Sequence, residues 1–117
     1  MNILRFVAAA SVVSFWALGC GGTPSKMSAR AQAVAKLTGD ATAGQTLYSN
    51  LCLSCHGATG SGTPSGNSLA GPAKNKSVGE LAEIVINGQG AMTAYGSFYT
   101  DQQIADVVAY VKATFGK

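Results

Sequence analysis

Residues 52 to 56 read Cys-Leu-Ser-Cys-His and hold two of the chain's three cysteines and its one histidine. Thiols and an imidazole at this spacing permit a metal site, a dithiol exchange centre or an attachment point for something larger. A structural zinc site takes four ligands of the Cys or His type, and past residue 20 only Cys52, Cys55 and His56 qualify. Consecutive Cys55 and His56 would also have to converge on one small ion. A thioredoxin-like dithiol sits at the start of a helix after a strand, where amide dipoles lower a thiol pKa. Here the motif follows a helical pattern with no βαβ alternation around it. A plain disulfide would close a tiny loop and leave His56 without a role. Covalent haem attachment uses all three residues, and Cys-x-x-Cys-His is its signature. Two thiols three positions apart on one turn each add across a vinyl group on the same porphyrin edge, forming thioethers, and the next residue presents its Nε2 to the iron.

The opposite face of the iron decides between electron transfer and ligand chemistry. With a single histidine in the chain, bis-histidine ligation is excluded. Past the motif there is one methionine, Met92, in Gly88-Gln89-Gly90-Ala91-Met92-Thr93-Ala94-Tyr95-Gly96. A lone methionine is commonly core filler, but this one lies in a glycine-rich loop between two capped helical segments, where no other soft ligand is on offer. A thioether favours ferrous over ferric iron and raises the potential relative to two imidazoles.

Three helical stretches stand ready to position these groups. Thr100-Asp101-Gln102-Gln103 is a capping box, and Ile104, Val107, Val108, Val111 and Phe115 follow it as an apolar stripe on one helix face. Ser77-Val78-Gly79-Glu80 is a second box, opening Leu81 to Ile86 with Asn87-Gly88 as the stop. A third stretch, from about Thr42 to Cys52, carries Leu47, Tyr48 and Leu51 on one side and runs into the cysteine motif, which is thereby expected at a helix end. Strand alternation is nearly absent. A domain of roughly 80 residues this rich in glycine needs a staple in its middle, and a haem would be one.

The chain of 117 residues is long enough for one such domain. Residues 1–20 read as an export signal, with Arg5, an uncharged apolar run from Phe6 to Leu18, and small residues around Gly19. The run is shorter than the roughly 20 residues a membrane span needs. Ala17-Leu18-Gly19-Cys20 resembles a lipoprotein lipobox, with Ala17 where leucine is usual, so Cys20 is expected to be acylated and to anchor the chain stably. Residues 21–38 have the Gly, Ser, Ala, Pro and Lys composition of a flexible tether. Its stretch from Ser28 to Leu37 is alanine-rich and helical in part, with nothing obliging it to pack, and Lys26, Arg30 and Lys36 are free to meet anionic lipid or water. The domain proper occupies residues 39–117. A formal charge of +3 from eight basic and five acidic residues carries no nucleic-acid footprint.

From about Asp40 to Phe115 these features resemble the small monohaem c-type cytochromes of class I. The resemblance implies an all-α bundle of three to four short helices around one covalent haem c, with the first and last helices crossed. In that family a small residue and an aromatic four apart on the first helix meet an aromatic near the middle of the last; Gly44, Tyr48 and Tyr110 match. The absence of a side chain on Gly44 lets a ring approach its backbone. The family's Gly-Pro-x-Leu-x-Gly turn is matched by Gly66-Asn67-Ser68-Leu69-Ala70-Gly71, with Asn67 in place of the proline whose carbonyl accepts from the ligand histidine. Pro72 in a shifted register is the alternative. Thr93 stands where proline often follows the ligand methionine. The resemblance further implies a one-electron carrier, not an enzyme, with Cys52 and Cys55 as thioethers and His56 and Met92 as axial ligands. Expected with it are redox protein donors and acceptors, a monomeric state, and a lipid-anchored place on the periplasmic side of a bacterial membrane. The alternative is a haem protein whose displaceable Met92 admits a diatomic gas or peroxide. Tyr95, Phe98 and Tyr99 are either pocket neighbours of the haem or ordinary core rings. Lys74, Lys76 and Lys112 either steer an acidic partner or are scattered surface charges. The glycines from Gly57 to Gly66 let backbone pass close to the porphyrin edge.

Overall fold

The structure, a computed structural model, describes residues 27–117; the leader, Cys20 and Lys26 lie outside the described residues. The architecture is helical, with isolated bridges at Thr63–Gly66 and Gln89–Met92 in place of strands among the described residues.

Helix α1 (Ala29–Ala35) is capped by Ser28, whose hydroxyl accepts from the Ala31 amide at 3.1 Å. Seven residues make a marginal helix in isolation, so its order comes from docking. Ala31 and Val34 are both 0% exposed, against helices α5 (Val78–Asn87) and α6 (Asp101–Phe115). The Ser28 amide donates to Glu83 Oε2 at 2.7 Å, and Arg30 pairs with Asp101 at 2.7 Å. The stretch from Ser28 to Leu37, helical in part as expected, does pack over this helix, although nothing in its own sequence obliges it to. The acidic partners of its serine and arginine lie 55 and 71 positions away, beyond the reach of a local reading.

Helix α2 (Ala41–Leu47) starts at Asp40, whose carboxylate accepts from the amides of Thr42 and Ala43 at 2.8 and 3.3 Å. It does not stop at the cysteines. A π-helical turn (Tyr48–Cys52), marked by the Leu53 amide bonding to the Tyr48 carbonyl, feeds directly into α3 (Leu53–His56), which ends at Gly57 with φ 81°. The cysteine motif is thus carried inside the last turns of a helical rod, at the helix end its sequence implies, with helical structure continuing one turn past Cys52 to His56. Such one-residue expansions cluster at functional sites.

Helix α4 (Ala70–Asn75), with Pro72 in its first turn, was not signalled by any periodic pattern; it packs on α6. Both capping boxes expected for α5 and α6 are formed, through Ser77 with Glu80 and Thr100 with Gln103. The core joins α1, α5 and α6 through Val34, Leu81, Ile104 and Val108, and reaches the π-helical turn at Tyr48. The first part of the α6 stripe is buried as its spacing implies, with Ile104 at 0% and Val108 at 2% exposure, while Val111 and Phe115 are partly buried against the core.

Helix α2 crosses α6 at Gly44, where a Cβ would stand 2.9 Å from the Tyr110 Cβ and overlap the Asp106 carbonyl. Backbones at this separation leave no room for any other residue. Tyr48 then stacks beside Tyr110 and Phe115, with ring centroids 5.3 and 5.4 Å apart. Asp106, 8% exposed, closes the crossing by accepting from the Asp40 amide and from Gln102 Nε2, each at 2.8 Å.

Candidate functional site

The helical rod and α6 form one wall of a cavity of about 420 Å³. Cys52, Cys55 and His56 line it from the rod, Met92 from the loop between α5 and α6, and Asn67 from the loop that follows the motif. The three residues of the cysteine motif and the lone methionine of the glycine-rich loop therefore share one space. The remaining lining is mainly apolar, including Leu81, Val85, Val107 and Val108, a composition suited to a large flat ligand with few polar atoms.

The imidazole is held by its second nitrogen. His56 Nδ1 lies 2.7 Å from the Asn67 carbonyl oxygen, which can only accept, so the proton is on Nδ1 and Nε2 keeps its lone pair. This geometry selects Asn67 over Pro72 as the orienting residue. The Asn67 loop is fastened to the motif on both sides. Thr63 Oγ1 donates to the Cys55 carbonyl at 2.6 Å, and Tyr48 Oη donates to the Gly57 carbonyl at 2.6 Å. A Cβ on Gly66 would meet the Cys55 carbonyl oxygen at 2.5 Å, so glycine allows the loop to close on the motif.

Both thiols are free. Burial, followed by the neighbouring Cys55, pushes the Cys52 thiol up to about 11. Exchange catalysis needs a depressed thiol pKa, which Cys52 does not have. Among the described residues, no three or more His, Cys, Asp or Glu side chains gather to hold a metal ion; the motif's donors are spread along a helix. The set that does converge, two thiols, an imidazole with a committed tautomer and a thioether around an apolar cavity, fits a covalently attached haem.

Met92 sits in a turn closed by its own amide bonding to the Gln89 carbonyl at 2.9 Å. The chain then doubles back along α5, with Tyr95 and Gly96 amides donating to the Val85 and Ile86 carbonyls at 2.8 and 3.1 Å. Of the loop's three rings, Tyr95 lines the cavity, Tyr99 packs on the core, and Phe98 is 70% exposed. Burial, then Cys52, raises both tyrosine pKa values. Lys76 lines the cavity, whereas Lys112 Nζ donates to the Ala73 and Lys76 carbonyls at 3.0 and 2.7 Å and so closes the C-terminus of α4. The roles of Thr63 and of the Tyr48 hydroxyl carry no sequence signal, since each depends on which carbonyl the fold brings near.

Residues 39–111 match the family model described as cytochrome C oxidase, cbb3-type, subunit III. Cytochrome c6 of Rippkaea orientalis is 36% identical over 88 residues, 66% of this chain and 73% of that protein. Among solved structures, cytochrome c6 from the diatom Phaeodactylum tricornutum aligns with a TM-score of 0.55 and 30% identity, over 64% of this chain and 93% of that one. Cytochrome cL from Hyphomicrobium denitrificans aligns with a TM-score of 0.55 and 25% identity, over 62% of this chain. The match spans 45% of the cytochrome cL chain, about half its length.

Proposed function

The chain belongs to the cytochrome c family as a small class I c-type cytochrome with one covalent haem c, and from that premise we propose a His56/Met92-ligated electron carrier on the periplasmic side of a bacterial membrane. Family membership makes it a haem-based electron-transfer protein. The ligand pair rests on one observation: His56, with Nδ1 committed to the Asn67 carbonyl, and Met92 line the same cavity.

When bound, the haem supplies a one-electron ferric/ferrous couple. Cys52 and Cys55 would hold it through two thioethers, which would keep it from dissociating. Asn67 fixes the His56 tautomer and strengthens Nε2 as a donor. Because Nδ1 is so engaged, the imidazole is not free to shuttle protons, which favours electron transfer over acid–base chemistry. The apolar lining keeps water from the cavity and disfavours the more highly charged ferric state. The export-type leader and the lipobox-like Ala17-Leu18-Gly19-Cys20 support the compartment and an acyl anchor at Cys20. Among the described residues no helix is long and apolar enough to cross a membrane.

The test is visible spectroscopy and redox titration of the holoprotein and its Met92→Ala variant. The variant is expected to lose the sulfur-to-iron signature, to show a lower potential and to bind carbon monoxide when ferrous. An unchanged spectrum and potential would remove Met92 from the iron. Rapid, complete carbon monoxide binding by the unaltered ferrous protein would replace electron carriage with gas or peroxide chemistry. Intact mass of protein extracted from membranes reports acylation of Cys20.

A further inference from the structure

We infer that Arg30, on the helix preceding the family-matched residues, is a positioning residue that holds the Met92 loop closed over the haem cavity. All three guanidinium nitrogens are used. Nε donates to Asp101 Oδ1 at 2.7 Å, one Nη to the Gly96 carbonyl at 2.5 Å, and the other Nη to the Tyr99 carbonyl at 2.9 Å. Gly96 and Tyr99 close the loop that begins at Gly88 and carries Met92, and Asp101 begins α6. One rigid planar fork therefore spans the end of the ligand loop and the start of the next helix, a geometry that lysine's point charge cannot reproduce.

Arg30 is the partner found for both loop carbonyls, which accept no main-chain amide among the described turn and cap bonds. Its own position is fixed from behind. Ala31 and Val34 of the same helix are fully buried, and Ser28 is tied to Glu83 on α5. The matched family residues begin at 39, so this clamp reaches the ligand loop from outside them. Thr93, where the family often has proline, leaves the loop without one local stiffener, and Arg30 supplies the restraint from a distant part of the chain. Hydrogen bonds to a charged donor are stronger than neutral ones, and three on one group favour the closed loop over any arrangement in which Met92 swings away.

The inference rests on ligation by Met92 for its consequence at the iron, and the experiment separates the two. Hydrogen exchange of the holoprotein, followed in peptides covering residues 92–99, reads loop opening directly. The rate at which excess imidazole displaces the sixth ligand of the ferric protein reads it at the iron. In Arg30→Ala both are expected to rise tenfold or more, with exchange in the middle of α6 unchanged. Arg30→Lys, which keeps the charge and the packing of α1, is expected to lie nearer to Arg30→Ala than to the unaltered protein, and it serves if the alanine variant folds poorly. Loop exchange within twofold of the unaltered protein in both variants overturns the clamp. If Met92→Ala leaves the spectrum unchanged, the consequence at the iron is withdrawn, and the exchange data alone decide whether Arg30 holds the loop.

Discussion

The Nδ1 atom of His56 and the carbonyl oxygen of Asn67, eleven positions later, are 2.7 Å apart. The acceptor is main chain, so the contact does not depend on the asparagine side chain. Asn67→Pro should keep it, because the preceding residue is the permissive Gly66 and no hydrogen bond from the Asn67 amide is formed among the described loop bonds. Stabilisation of about 0.4–1 kcal/mol is expected from the smaller entropy of the unfolded chain. Denaturant unfolding with an unaltered haem spectrum would bear this out; a less stable variant would mean that residue 67 lies outside the range of φ open to proline.

Gly44→Ala places a methyl group against the Asp106 carbonyl and within 2.9 Å of the Tyr110 Cβ. Both obstacles belong to α6, whose backbone cannot move without disturbing Ile104 and Val108. Overpacking of this kind costs about 1–3 kcal/mol, here at the junction that holds the cysteine motif against the core. Equilibrium unfolding reads the loss directly, and a change below about 0.5 kcal/mol would mean that the two helices separate more easily than their packing implies.

Tyr48 offers two substitutions with different expected costs. Tyr48→Phe removes the bond to the Gly57 carbonyl, which still accepts from the Gly60 amide at 3.2 Å, so a loss of about 0.5–1.5 kcal/mol is expected. Tyr48→Ala also removes a ring that is 1% exposed and packed on Tyr110 and Phe115, for about 3–5 kcal/mol. Equal losses in the two variants would assign the whole effect to the hydroxyl.

Glu83 gives the fold a sensitivity to acid. Hydrogen bonds from Ser28, side chain first and then main chain, hold its carboxyl below the ordinary value of 4.5. A lowered folded-state pKa contributes stability that is present above the unfolded value and lost as pH falls through the folded one. Stability should therefore decline as pH drops below about 4.5, and Glu83→Gln should flatten that decline by removing the titrating group. Thermal midpoints across the acid range check it; parallel curves for the two proteins would show that other carboxylates carry the acid sensitivity.

What could be read from the sequence was what lies close together in it. Ser77 with Glu80 and Thr100 with Gln103 are four-residue devices, and Cys-x-x-Cys-His is five residues long, so their geometry is nearly fixed by local spacing. The pairing of Gly44 and Tyr48 with Tyr110 came from family resemblance, and steric need explains it. What escaped depends on distant partners or on a backbone choice with no compositional mark. The docking of α1 needs Glu83 and Asp101, and Lys112 finds its carbonyls on α4. The extra residue of the π turn leaves no trace in the apolar pattern, since Leu47, Tyr48 and Leu51 suit either helix type.

The docking of α1 also sets a distance scale. An acylated Cys20 would be separated from the folded body at Met27 by residues 21–26, where composition alone had suggested a tether running to residue 38. Seven Cα-to-Cα steps reach at most about 25 Å. The redox centre would then operate within a thin layer above the lipid headgroups and travel laterally with its anchor. Its natural donors and acceptors would be proteins standing in, or pressed against, the same membrane, encountered by diffusion in two dimensions.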